Sequence, residues 1–200
     1  MYSVMLSVRA LSLTLATMAF FACCGHAAAA DVAAGKALAE GCAGCHGADG
    51  VSITELTPSL AGQSDEFVQW QLVYFRSGAR KSEIMGPIAQ SLSNEDIRNL
   101  GAYYASLPPP KPAAPADGLA QQGEKVAAQH RCKSCHSEDF NGFRAAARLS
   151  GQREDVLLKA LRDYKSGARV GSGVASMADV TFELTDDDLK ALARYMASRQ

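Results

Sequence analysis

The chain contains a copy of itself, and this internal repeat most constrains what it can fold into. Cys42-Ala43-Gly44-Cys45-His46 returns 90 residues later as Cys132-Lys133-Ser134-Cys135-His136. Leu60-Ala61-Gly62-Gln63 returns after 89 residues as Leu149-Ser150-Gly151-Gln152, and Arg76-Ser77-Gly78-Ala79-Arg80 after 89 as Lys165-Ser166-Gly167-Ala168-Arg169. Leu92-Ser93-Asn94-Glu95-Asp96-Ile97 returns after 92 as Leu184-Thr185-Asp186-Asp187-Asp188-Leu189. Order is kept and the gaps barely change, so one structural unit occurs twice. Between the copies runs Pro108-Pro109-Pro110-Lys111-Pro112-Ala113-Ala114-Pro115. Proline fixes φ and supplies no amide hydrogen, so this stretch is expected to be an extended, semi-rigid spacer. The expected organisation is a first domain over 31–107, a linker over 108–117 and a second domain over 118–200. Units of roughly 80 residues bury limited apolar surface and often need a staple.

Patterning predicts helices and no convincing strand. Ser93 is placed to cap a helix with Asp96 as reciprocal partner, and Ile97, Leu100 and Tyr104 then share one face. Thr185 and Asp188 start the matching helix, with Leu189, Leu192 and Met196 on its face. Residues 32–42 and 120–132 read as shorter helices leading into the cysteine motifs. The fold class expected is therefore all-α. Trp70, the single tryptophan, is expected in the core or against a cofactor.

Residues 1–30 read as a secretory signal peptide. Arg9 is the only charged residue before Asp31, the apolar run from Ala10 to Cys24 is short for a membrane span, and Ala28 and Ala30 fit a small-x-small cleavage site. An uncleaved anchor is one competing reading. Lipidation at Cys23 or Cys24 is another, which Phe20 and Phe21 fit poorly. Cleavage after Ala30 leaves four cysteines: Cys42, Cys45, Cys132 and Cys135.

Cys-x-x-Cys-His is the attachment motif of c-type haem. Two thiols add across the haem vinyl groups, and the following histidine sits under the iron as proximal ligand. A disulfide or redox-active cysteine pair is the competing reading, and it leaves the adjacent histidine unexplained twice. A zinc site joining both motifs conflicts with the stiff linker between complete repeat units. The motif histidines His46 and His136 are the first axial-ligand candidates. Met85 and Met177 are the second pair, lying 39 and 41 residues further on and just before the capped helices. Methionine is also a common core filler, and Met196, aligned with Tyr104, is read as packing. His130 has no counterpart in the first copy and is read as a helix-surface residue. Arg80 and Arg169 each follow Ser-Gly-Ala; they are candidates to pair a haem propionate as a fork, against a solvated loop position. A backbone carbonyl near Pro58 or Ala147 is a candidate to orient the proximal histidine.

These residues carry a resemblance. Cys42-Ala-Gly-Cys-His46-Gly-Ala-Asp-Gly50, Pro58-Ser-Leu-Ala-Gly-Gln63, Met85, Leu92-Ser-Asn-Glu-Asp-Ile97 and Ala102-Tyr-Tyr104, with their second-copy matches, make the chain resemble the dihaem cytochrome c4 family across its mature length. The resemblance implies two tandem class I cytochrome c domains joined by the Pro-rich linker, with haems facing across the interface. It implies two covalently bound haem c groups, each with histidine–methionine coordination. It also implies a periplasmic electron carrier, often loosely at the membrane surface, with a quinol–cytochrome c reductase, a terminal oxidase or another reductase as partner. The alternative is a dihaem electron-accepting subunit of a dehydrogenase, such as a sulfide-oxidising flavocytochrome. A dihaem peroxidase requires an open iron position, which two methionine candidates argue against.

Charge adds one expectation. With 20 basic and 21 acidic side chains, no nucleic-acid-binding surface is implied. Residues 31–107 carry five basic against nine acidic side chains, a net of −4, and residues 118–200 carry thirteen against eleven, a net of +2. Arg131, Lys133, Arg144, Arg148 and Arg153 gather around the second motif, which is expected to face an acidic partner.

Overall fold

The computed structural model describes residues 29–169 and 175–200; the expected signal peptide lies, up to residue 28, outside the described residues. In the first half α1 (Val32–Ala39) passes through a 3₁₀ turn (Glu40–Cys42) into the short α2 (Ala43–His46), followed by α3 (Asp65–Ser77), α4 (Met85–Gln90) and α5 (Asn94–Ser106). The second half repeats the order with α6 (Gly118–Gln129), α7 (Lys133–His136), α8 (Glu154–Lys165), α9 (Ala175–Phe182) and α10 (Asp186–Ala197). Among the described residues the only β pairing is an isolated bridge between Phe143 and Ala146. The chain is all-α.

Both expected capping boxes form. The Ser93 hydroxyl accepts from the Asp96 amide while the Asp96 carboxylate accepts from the Ser93 amide, and Thr185 and Asp188 do the same. The apolar faces behind these caps are the cores: Ile97, Leu100 and Tyr104 are buried in one half, Leu189, Leu192 and Met196 in the other. Each core closes where the first helix of a domain crosses the last. Gly35 of α1 lies so close to α5 that a Cβ there would stand 2.1 Å from the Asn99 carbonyl oxygen; at Gly123 of α6 it would stand 2.0 Å from that of Ala191. Only glycine permits that backbone approach.

The sequence pattern did not single out α3 and α8. They start just after the two Leu-x-Gly-Gln segments and end at the two Ser-Gly-Ala segments, where Gly78 and Gly167 take left-handed φ of 75° and 73°. These repeated motifs are thus the ends of one long helix per domain. Of the two places expected for Trp70, the core is not the one it takes: on α3 it is 47% exposed and stacks on Tyr74 at 5.7 Å. It stands two residues on from the buried Val68, on the opposite face of the helix, and so does not belong to the core. Residues 108–117 carry no helix and lie against both halves, with the Ala113 amide on the Ala197 carbonyl at 2.7 Å, Pro109 against Gly62 and Pro110 against Gly151.

Candidate haem-binding sites

The two motif histidines end α2 and α7, and both are buried. His46 Nδ1 lies 2.8 Å from the Pro58 carbonyl oxygen, and His136 Nδ1 lies 2.9 Å from that of Ala147. A carbonyl oxygen only accepts, so Nδ1 carries the proton and donates, leaving the Nε2 lone pair free. Burial holds both imidazoles below their ordinary pKa, with the carbonyl bond pulling the other way. Each site therefore offers a neutral, oriented nitrogen ligand.

A tight loop brings those carbonyls back under the histidines. The Gly50 carbonyl accepts from the Leu60 and Ala61 amides at 2.7 and 3.1 Å, and the Phe140 carbonyl accepts from Leu149 and Ser150 at 2.8 and 3.1 Å. The loop thus survives the exchange of Pro58 for Ala147. It also survives Phe140, at φ 56°, in the place of Gly50, at φ 75°; burial of the whole Phe140 side chain holds a conformation that costs a non-glycine residue about 1–2 kcal/mol.

The cysteines are disposed alike in both halves. Cys42 and Cys132 are half-buried, Cys45 and Cys135 are exposed, and all four thiols are free. Burial pushes the Cys132 thiol up. Each histidine is thus flanked by two unpaired thiols. Among the described residues, no group of three or more His, Cys, Asp or Glu side chains is arranged to hold a bare metal ion.

Met85 and Met177 stand on equivalent short helices, α4 and α9, and both are half-buried. The Met85 amide donates to Ser82 Oγ at 3.0 Å, and the Met177 carbonyl accepts from Thr181 Oγ1 at 2.8 Å. Met196 is buried in the α10 core, as its packing assignment requires. His130 caps the C-terminus of α6 and is half-buried.

Arg80 and Arg169 are drawn together at the domain junction. Arg80 Nη1 and Arg169 Nη2 both donate to Gln71 Oε1, at 2.8 and 2.7 Å. Their guanidinium groups lie over the equivalent rings of Phe75 and Tyr164, 4.5 and 4.6 Å from the centroids. Burial, and then the charge of Arg169, lower the Arg80 pKa to about 10. Among the described residues, Arg169 Nε is buried with no partner. Arg169 is buried and Arg80 half-buried, and among the described residues no carboxylate is hydrogen-bonded to either guanidinium, an arrangement that calls for an anion. Comparison of the repeats passes over Gln71, because Ala160 stands at the matching place in α8.

The free thiol pairs, the neutral histidines with Nε2 free and the orphaned Arg169 nitrogen all fit covalent haem with its propionates. Comparison with known proteins agrees. A family model described as Cytochrome c matches residues 32–108 and again 120–200. The cytochrome c4 of Pseudomonas aeruginosa is 32% identical over 178 residues, 84% of this chain and 89% of that protein. The thiosulfate dehydrogenase electron acceptor of Thiomonas intermedia is 32% identical over 184 residues, 86% of this chain and 85% of that protein. The crystal structure of reduced recombinant cytochrome c4 from Pseudomonas stutzeri matches with a TM-score of 0.80 at 29% identity, covering 86% of this chain and 100% of that one. Fold, paired motifs and relatives define a c-type cytochrome with two covalently bound haem c groups, an electron-transfer protein and not an enzyme. The chain belongs to the dihaem cytochrome c4 family.

Proposed function

We propose that this cytochrome is exported, cleaved after Ala30 and held in the periplasm, where it takes electrons from a quinol–cytochrome c reductase and delivers them to a terminal oxidase or another reductase, peripherally associated with the membrane surface. Its working parts are domains over 31–107 and 118–200 and the linker over 108–117. Cys42 and Cys45 hold one haem as thioethers, and Cys132 and Cys135 hold the other. His46 with Met85, and His136 with Met177, are the axial ligands. Bound haem supplies a one-electron ferric–ferrous couple.

The chain's own residues set the terms of that couple. The Pro58 and Ala147 carbonyls fix ring orientation and tautomer of the proximal histidines. Methionine as the second ligand raises the potential relative to two imidazoles. Arg80 and Arg169 receive propionates, which neutralises the two cations.

The observation that carries this reading is the recurrence, on equivalent elements, of a buried histidine held by a backbone carbonyl beside two free thiols. The test is potentiometric titration combined with stopped-flow mixing against purified reductase and oxidase. Two one-electron steps, with rapid exchange with both enzymes, are expected. The likeness to the Thiomonas intermedia protein favours a second reading, acceptor for a thiosulfate dehydrogenase. Rapid reduction by such a dehydrogenase, with slow exchange with the quinol-oxidising reductase, would put that reading in place of the first.

A further inference from the structure

The repeated Leu-x-Gly-Gln segments end in two glutamines that the sites above do not use. Gln63 reaches across the junction: its Nε2 donates to the Arg148 carbonyl at 2.9 Å and its Oε1 accepts from the Arg148 amide at 3.0 Å. Gln152 does the same in the other direction, donating to the Ser59 carbonyl at 2.9 Å and accepting from the Ser59 amide at 2.9 Å. All four residues are buried. Ser59 and Arg148 are equivalent positions in the repeat, so the two clamps are mirror copies.

The clamped amides are not arbitrary. The Ser59 N–H belongs to the same peptide unit as the Pro58 carbonyl that accepts from His46. The Arg148 N–H belongs to the same peptide unit as the Ala147 carbonyl that accepts from His136. A peptide unit is conjugated. Donation from its N–H shifts electron density toward its oxygen and makes that oxygen a better acceptor, and in a buried setting such chained bonds reinforce each other. A stronger acceptor draws the Nδ1 proton, enriches the imidazole and favours the ferric state of an iron bound at Nε2.

We propose that Gln63 and Gln152 are crossed positioning residues: each acts through one peptide unit of the opposite domain on that domain's proximal histidine, so the potential of each haem depends on the other domain being docked. This rests on His46 and His136 being the proximal ligands. That reading is checked first, in the parent protein, by the nitrogen-ligand signatures of both haems in paramagnetic resonance; their absence would fail the ligand assignment and not the relay.

The test uses the holoprotein with Gln152→Leu or Gln63→Leu, redox titration resolving the two haems, and NMR of the histidine Nδ1–H protons. Gln152→Leu is expected to raise the potential of the first-domain haem and move the His46 Nδ1–H resonance, leaving the second haem and His136 in place. Gln63→Leu is expected to give the reverse pattern. Equal shifts at both haems, a shift confined to the variant's own domain, or no shift overturns the proposal. If small-angle scattering shows that a leucine variant separates the domains, Gln152→Glu decides, because its carboxylate still accepts from the Ser59 amide. It is expected to lower the first haem's potential and move the His46 proton in the opposite sense, and an unmoved His46 proton overturns the proposal.

Discussion

His46 and His136 differ from surface histidines in that both ring nitrogens are already committed in kind: Nδ1 as donor to a carbonyl, Nε2 as free lone pair. Met85 and Met177 are the proposed complementary soft ligands, and the residue-scale prediction concerns them. Met85→Ala should open the first iron and Met177→Ala the second. Each variant should lose that haem's sulfur–iron charge-transfer absorbance, and its potential should fall by on the order of 0.1 V. Visible spectra and redox titration check this, and a variant that keeps both haems' signatures removes that methionine from the ligand set. Peroxide turnover is expected to appear only at the opened site.

Between elements, the tightest constraint is the helix crossing at Gly35 and Gly123. A Cβ at Gly123 would meet the Ala191 carbonyl oxygen and the Tyr195 Cβ at 2.0 and 2.7 Å, and backbone cannot step aside as a flexible side chain can. Gly123→Ala is therefore expected to destabilise the second domain by roughly 3 kcal/mol or more, read as a lowered urea midpoint, with the first domain's transition unchanged. The capping boxes are a smaller, pH-dependent contribution. Hydrogen bonds from the Thr185 hydroxyl and amide hold the Asp188 carboxyl below its ordinary pKa. A carboxyl depressed on folding stabilises the fold above its unfolded pKa, and that stability disappears as pH falls through the folded value. Thr185→Ala should cost about 1 kcal/mol at neutral pH, and the gap to the parent should narrow on acidification; thermal unfolding at pH 7 and pH 3 measures both.

For the whole molecule, the junction changes how the charge asymmetry is used. Of the five basic residues gathered around the second motif, Arg148 is buried beneath the Gln63 clamp, and Arg153 is turned onto Asp155 and the Ser52 carbonyl of the first domain. Asp155 in turn accepts from the Leu56 amide at 2.8 Å. Arg153 links the two domains and the Arg148 side chain is buried, so neither base is offered to a partner. The outward charge that remains is Arg131, Lys133 and Arg144. Reversing Arg131 and Lys133 to glutamate should slow association with an acidic partner several-fold at low salt, with the effect fading as the Debye length shrinks toward about 8 Å at physiological ionic strength. Stopped-flow rates across a salt series test this, and salt-independent rates in the parent protein would exclude steering by this face.

What the sequence determined by itself is whatever is written in contiguous residues. The haem attachments, the duplication, the two capping boxes and the apolar faces behind them are local patterns with fixed spacing, so one strand of text carries them. Arg80 and Arg169 were legible as a repeated pair, but their meeting on Gln71 was not, since that acceptor exists in only one copy. In α3, glutamines and the exposed Trp70 interrupt the apolar spacing, whereas α8 does carry a helical stripe of Leu157, Ala160, Leu161 and Tyr164; both helices pack against the last helix of their domain. Only the tertiary structure could decide what Gln63 and Gln152 do. Their partners lie 85 and 93 residues away, and a side-chain amide bonding a backbone leaves no trace in the identity of the residue it bonds: Ser59 and Arg148 offer the same N–H and C=O.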